Sequence, residues 1–184
     1  MEKLLLVGAG GFGRVVLEHA AKEYECAFLD DGEAAEVDGV PVIGGTADLE
    51  RLRSEYARML VTIGSNALRE KLYERGAKIG YTFPNIIHPS AYVSPRARLG
   101  AGCILLNHVV VQNNAVCGDG CILNPGVELH HDSSVGNCCL IYTNSVIRSL
   151  ARVGDRVRIG STATVGTGAA VPDDGQVKDG ECVS

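Results

Sequence analysis

From residue 93 onward the chain repeats with a period of six that never slips, and this limits the possible folds more than any other feature of the sequence. Val93, Leu99, Leu105, Val111, Cys117, Leu123, Leu129, Val135, Ile141, Ile147, Val153, Ile159, Val165 and Val171 form one column, all aliphatic or cysteine. Two residues earlier runs a second column of small residues, from Ala97, Cys103 and Val109 to Ala163 and Ala169. Glycine follows the aliphatic position at Gly100, Gly118, Gly136 and Gly154, which sets the true unit at three hexapeptides. A helix needs a period of 3.6, and hairpin sheets need turn signals between alternating runs, so neither accounts for six and eighteen. A prism of stacked coils with three flat faces does. The aliphatic residue points inward, the small residue fits beside it, and glycine permits the turn.

Before the repeat lies a different pattern. Residues 3–7 read as a buried strand. Gly8-Ala9-Gly10-Gly11-Phe12-Gly13 then leads into a helix over 14–23 with Val15, Val16 and Ala20 inward. A strand over 26–29 ends in Asp30-Asp31, where an acidic pair could accept hydrogen bonds from a ribose or base. Strands are also expected over 40–43 and 60–64, the latter closing on Gly64-Ser65-Asn66. A glycine loop at a helix N-terminus lets backbone amides approach a phosphate, although the same glycines could serve only to pack strand on helix. The region is too short for two mononucleotide halves, which counts against an NAD-dependent enzyme. The expected fold is therefore a small Rossmann-like α/β domain with a parallel sheet over 1–87, followed by a parallel β-helix over 88–184.

A net charge of -5 with scattered Lys and Arg offers no basic stripe for nucleic acid. The short apolar start is neither a signal peptide nor a membrane span, so a cytoplasmic protein is expected. Among seven cysteines, Cys103, Cys121 and Cys139 lie eighteen apart and read as stacked small hydrophobes, while Cys26 and Cys138 have no evident role. No zinc spacing is present, and His108, His130 and His131 do not supply the histidines of a carbonic anhydrase on this fold.

The repeat columns resemble the hexapeptide-repeat acyltransferase superfamily, whose members form left-handed β-helices and usually trimerise. GAGGFGR over 8–14, FLDD over 28–31, TIGSNALREKL over 62–72 and IIHPSAYVSP over 86–95 make the resemblance narrower. The chain looks like the sugar O- and N-acetyltransferases that include sialic acid acetyltransferase and the UDP-4-amino-sugar acetyltransferases. The resemblance implies a nucleotide sugar held at Gly10, Gly11, Phe12, Asp30, Asp31 and Gly64, with acetyl-CoA as co-substrate between subunits of a homotrimer and no metal. It makes His131 the general base, Asp132 its orienter and Asn124 a hydrogen-bond partner of the sugar. His130 could tune its neighbour, touch the sugar or do nothing. On the donor side it points to Leu140, Ser149, Leu150 and Ser161. Here the chain departs from the family pattern: Leu140 stands where a second histidine is common, and Ser149-Leu150 where a small, glycine-rich pair is usual. A short Gly-x-Pro-Ala tail expected to cover part of the CoA site does not follow Glu181-Cys182-Val183-Ser184. Three readings remain open: an active acetyltransferase on a nucleotide-linked amino sugar, a trimeric nucleotide-sugar binder with weak or altered acyl-donor use, and O-acetylation of a free sugar acid.

Overall fold

The computed structural model describes residues 1–184 and divides into two compact units, Met1–Pro84 and Asn85–Ser184. The first unit is built on a parallel sheet with β1 (Glu2–Val7) at its centre, flanked by β2 (Tyr24–Leu29) and β5 (Arg58–Val61). Leu4, Leu5, Leu6 and Val7 of β1 are all fully buried, as a strand covered on both faces requires. Between β2 and β5 lie a small antiparallel hairpin, β3 (Glu36–Val37) with β4 (Val40–Pro41), and the short helix α2 (Leu49–Leu52). The strand expected over 40–43 is thus mostly hairpin, with only Val42 bridging to Phe28 of the main sheet.

Helix α1 spans Gly11–Ala20, so it starts inside the glycine motif, three residues earlier than the sequence pattern suggests. Its buried face is Gly13, Val16, Leu17 and Ala20. Val15, expected inward, is exposed because 3.6-residue spacing puts Leu17, not Val15, beside Val16 and Ala20. Gly13 permits the close packing: a Cβ there would collide with the Gly8 carbonyl. Helix α3 (Asn66–Ile79) starts on Ser65, whose hydroxyl accepts from Leu68 N, and stops at Gly80 in the left-handed region.

The second unit is a left-handed parallel β-helix of two-residue strands. One face stacks Ile86–Ile87, Ile104–Leu105, Ile122–Leu123, Leu140–Ile141, Arg158–Ile159 and Gln176–Val177. The second runs from Tyr92–Val93 through Glu128–Leu129 and Val146–Ile147 to Cys182–Val183, and the third from Arg98–Leu99 through Ser134–Val135 to Ala170–Val171. Every pairing joins residues eighteen apart, so the period of the sequence is the height of one coil. The first strand, Ile86–Ile87, begins two residues before the expected start at 88.

Both expected columns line the interior, with Leu105, Val111, Leu123, Leu129, Ile141, Ile147 and Val165 fully buried beside Ala115, Cys121, Cys139, Ala151 and Ala163. The polar members of the small column are satisfied locally. Ser145 Oγ donates to Gly160 O at 2.6 Å, and the Cys103, Cys121 and Cys139 thiols donate to the Gly118, Gly136 and Gly154 carbonyls. Cys138 sits at a corner with φ 51°, its N–H on Asp119 O.

Gly100, Gly118, Gly136 and Gly154 do not owe their identity to an unusual backbone angle. The left-handed residues come two positions later, at Gly102, Gly120, Cys138 and Arg156. What each glycine provides is room. A Cβ on Gly136 would collide with Asp155 Oδ1 and lie 2.7 Å from the Gly154 carbonyl atoms in the next coil. That carboxylate is held there because it accepts from Asn137 N at 2.6 Å, one rung of a ladder in which Asp119, Asn137 and Asp173 do the same for their neighbours.

Candidate active site

In the first unit, the carboxyl ends of β1 and β5 lie side by side, the edge at which open parallel sheets bind ligands. Thr62 Oγ1 donates to Gly8 O at 2.6 Å and so ties the two strand ends together. Gly10, Gly11 and Phe12 open α1 at this edge, and Gly64 leaves β5 beside them. Nothing lies within 4 Å of where a Cβ would stand on Gly10, Gly11 or Gly64, so these three leave open space rather than pack against the protein. The acidic pair is engaged within the chain. Asp30 accepts from Ala9 N and Gly32 N, at 2.8 and 2.9 Å, and Asp31 accepts from Thr46 N and Oγ1. Their first task is to shape the loops around the edge. Arg69, fully buried, donates to Ile63 O and Asn66 Oδ1 and holds the turn between β5 and α3.

In the β-helix, His131 and Asp132 occupy the corner between the second and third faces. The local backbone is set by the coil before: His131 N donates to Gln112 Oε1 and Asp132 N to Asn113 O. Asp132 has φ 61°, a conformation aspartate tolerates better than most residues. Its Oδ2 lies 2.8 Å from His131 Nδ1, and its Oδ1 accepts from Asn114 Nδ2 at 3.1 Å. The hydrogen bond to His131, and then that to Asn114, hold the Asp132 carboxyl below the usual carboxylate range. An ionised carboxylate on Nδ1 requires the ring to carry a proton there, which leaves the Nε2 lone pair free to act as a base. That nitrogen lies 2.9 Å from Ser149 Oγ, directly across one coil. The His131 ring is 56% exposed and accessible to a substrate.

Ser149 and Leu150 share this corner with His131, and Leu150 is 57% exposed at φ 66°, an uncommon state for a bulky residue. Leu140 does not join them. It is buried on the first face, across the prism from the His131 corner. Asn124 and Ser161 lie on the edge between the first and second faces. Asn124 Nδ2 donates to Ile141 O at 3.0 Å, so the amide assigned to the sugar is engaged with the next coil. Ser161 N donates to Asp179 Oδ1 at the rim of a cleft of about 320 Å³ lined by Arg158, Gln176 and Lys178. His130 Nε2 lies 3.2 Å from Glu128 Oε2, apart from the His131 pair. The partnership of Ser149 with His131 was not foreseen from the sequence, although their eighteen-residue separation contained it.

Residues 3–76 match the family model described as the PglD N-terminal domain. Over all of the chain, and 92% of its counterpart, the structure superposes with a TM-score of 0.95 and 34% identity on the acetyltransferase domain of PglB from Neisseria gonorrhoeae. The chain belongs to the hexapeptide-repeat sugar acetyltransferase family. The same Neisseria domain in complex with acetyl coenzyme A gives a TM-score of 0.89 over 98% of the chain and 95% of its counterpart. A variant of perosamine N-acetyltransferase from Caulobacter crescentus, in complex with CoA and GDP-perosamine, gives 0.63 at 29% identity over 97% of this chain and 94% of that one. UDP-N-acetylbacillosamine N-acetyltransferase of Bacillus subtilis is 32% identical over 113 residues, 58% of this chain. The chain spans about half the length of that curated relative, 52% of it. No helix is long and apolar enough to cross a membrane.

Proposed function

We propose that the protein transfers the acetyl group of acetyl-CoA to the amine of a nucleotide-linked amino sugar. The observation that carries this reading is the His131 ring, fixed by Asp132 on Nδ1 with Nε2 toward Ser149 Oγ at an exposed corner. An amine attacking a thioester must shed a proton as the new bond forms, and an imidazole is suited to take it near neutral pH. Asp132 orients the ring and stabilises the imidazolium. The open glycine edge at Gly10, Gly11 and Gly64 takes the nucleotide, whose phosphates suit the N-terminus of α1. The Caulobacter relative with CoA and GDP-perosamine, and the Neisseria domain with acetyl-CoA, support the substrate classes.

The working assembly in this reading is a homotrimer, because a donor groove on an exposed prism corner needs a second wall. Seven free cysteines suit a reducing cytoplasm, where acetyl-CoA and nucleotide sugars are available. The test is release of CoA from acetyl-CoA in the presence of UDP- and GDP-linked amino sugars, with product mass as the second readout. His131→Asn is expected to lower turnover by about 10²–10⁴-fold with nucleotide affinity retained. Full turnover by that variant would refute the assignment of the base.

A further inference from the structure

We propose that Leu150 limits the length of the acyl group the protein transfers, admitting acetyl and excluding longer chains; this rests on the acetyl-CoA reading above. The inference starts from a side chain that folding does not account for. Leu150 is 57% exposed, the most exposed large apolar side chain of the β-helix, and it stands at φ 66°. The other non-glycine residues in the left-handed region are Asp, Asn, Arg, His, Thr or Cys, so Leu150 is the one aliphatic residue among them. That conformation is costly for a bulky side chain, and an exposed one gains no burial in exchange. Backbone strain kept without packing points to a role at a site.

Successive coils place Asn114, Asp132, Leu150 and Gly168 in one column at this corner, at φ 59°, 61°, 66° and 73°. Leu150 therefore leaves the backbone in the same direction as Asp132, one coil further on, and lies beside Ser149 as Asp132 lies beside His131. Ser149 Oγ, 2.9 Å from His131 Nε2, marks the place an amine must take to give up its proton. In the transfer the amine nitrogen bonds to the thioester carbonyl carbon and its proton passes to Nε2. The C–S bond breaks, and the proton returns to the departing thiolate to give free CoA.

A carbonyl within bonding reach of that amine carries its acyl carbon to the level of Ser149 and its neighbour. The groups waiting there are an imidazole, a carboxylate and a hydroxyl, and Leu150 is the apolar one a methyl can rest against. Beyond Leu150 the column opens, since nothing lies within 4 Å of a Cβ built on Gly168. Leu150 thus stands between the acyl position at Ser149 and the free space at Gly168. A second or third methylene would have to pass through its side chain to reach that space.

The test compares acetyl-, propionyl- and butyryl-CoA, by calorimetric binding to the full chain with no acceptor and by CoA release with UDP- and GDP-linked amino sugars. Leu150→Gly removes the wall and suits the backbone, because Gly168 already stands left-handed in the same column; Leu150→Asn keeps the bulk, and Asn114 holds the same conformation. One methylene in a fitted pocket changes kcat/KM by about 10–200-fold, so the wild type is expected to prefer acetyl- to butyryl-CoA by at least about a hundredfold. Leu150→Gly is expected to cut that preference at least about tenfold, and Leu150→Asn to keep it. Light scattering follows the assembly state alongside. If Leu150 only packs against another copy of the chain, Leu150→Gly changes the assembly and leaves the acyl preference untouched, which overturns the proposal. A wild type that uses butyryl-CoA as well as acetyl-CoA also overturns it, as does loss of the preference in Leu150→Asn. Weakened discrimination in binding by Leu150→Gly, with no amino sugar acetylated by any form, would leave the acyl limit standing and refute the acceptor assignment. Acetylation of an amino sugar with one preference shared by all three forms would do the reverse.

Discussion

Replacing Gly136 and Gly11 by alanine, one at a time, separates two kinds of glycine that look alike in the sequence. At Gly136 the new methyl would collide with Asp155 Oδ1 and sit 2.7 Å from the Gly154 carbonyl atoms, so either the coils part or the Asp155 side chain leaves. Leaving breaks its 2.6 Å hydrogen bond from Asn137 N. Overpacking of this kind costs about 1–3 kcal/mol, and losing a hydrogen bond to a charged group about 1.5–3 kcal/mol. The two are alternatives in part, so Gly136→Ala is expected to destabilise by about 2–4 kcal/mol. At Gly11, in the first turn of α1, no atom lies within 4 Å of the new methyl. Alanine there is expected to stabilise by about 0.4–1 kcal/mol through the unfolded chain, while its methyl obstructs a phosphate at the helix N-terminus. Urea denaturation at fixed protein concentration gives both stabilities, and calorimetry with UDP and GDP gives the binding. Equal stability of the two variants would refute the packing argument. Unchanged nucleotide binding by Gly11→Ala would reduce the loop to a tight turn.

Three further outcomes are expected. The Asp132 carboxyl, held down by His131 and Asn114, should remain ionised below the usual carboxylate range. The stabilisation its hydrogen bonds provide is then complete above the ordinary carboxylate pKa and lost only as pH falls through the depressed value, which carboxyl-carbon NMR can follow in wild type and Asn114→Ala. Arg69→Met removes the donor from the part-buried Ile63 carbonyl and Asn66 amide oxygen, at about 1–3 kcal/mol for the pair, measurable by urea denaturation. Burial pushes the Cys26 thiol up to about 11, so iodoacetamide at neutral pH should label Cys26 far more slowly than the exposed Cys182, as peptide mapping would reveal.

The β-helix was legible residue by residue because its inward columns recur without a break and burial enforces them. The small sheet was legible in outline only. The buried Thr62 and the apolar Ile63 lie past the end of β5, so burial pattern alone overextends that strand, and Val15 is apolar yet exposed. The site divides in the same way. The His131–Asp132 pair is adjacent in sequence and visible there, whereas the engagement of Asp30 with Ala9, and of Asn124 with Ile141, depends on which backbone groups the fold brings within reach. Ser149 lay between. Once the coil height is known to be eighteen residues, its position over His131 follows by addition, but that the hydroxyl turns toward Nε2 does not.

The ladder of Asp119, Asn137, Asp155 and Asp173 links each coil only to the one before and the one after. Such a stack can be lengthened or shortened by whole coils at its far end without moving the groups that meet at the His131 corner. An insertion that is not a multiple of the coil, placed between residues 132 and 149, would shift Ser149 out from over His131. Length along this scaffold is therefore quantised: additions are tolerated in steps of one coil, and the residues of the His131 corner are inherited as a vertical pair rather than as a linear motif.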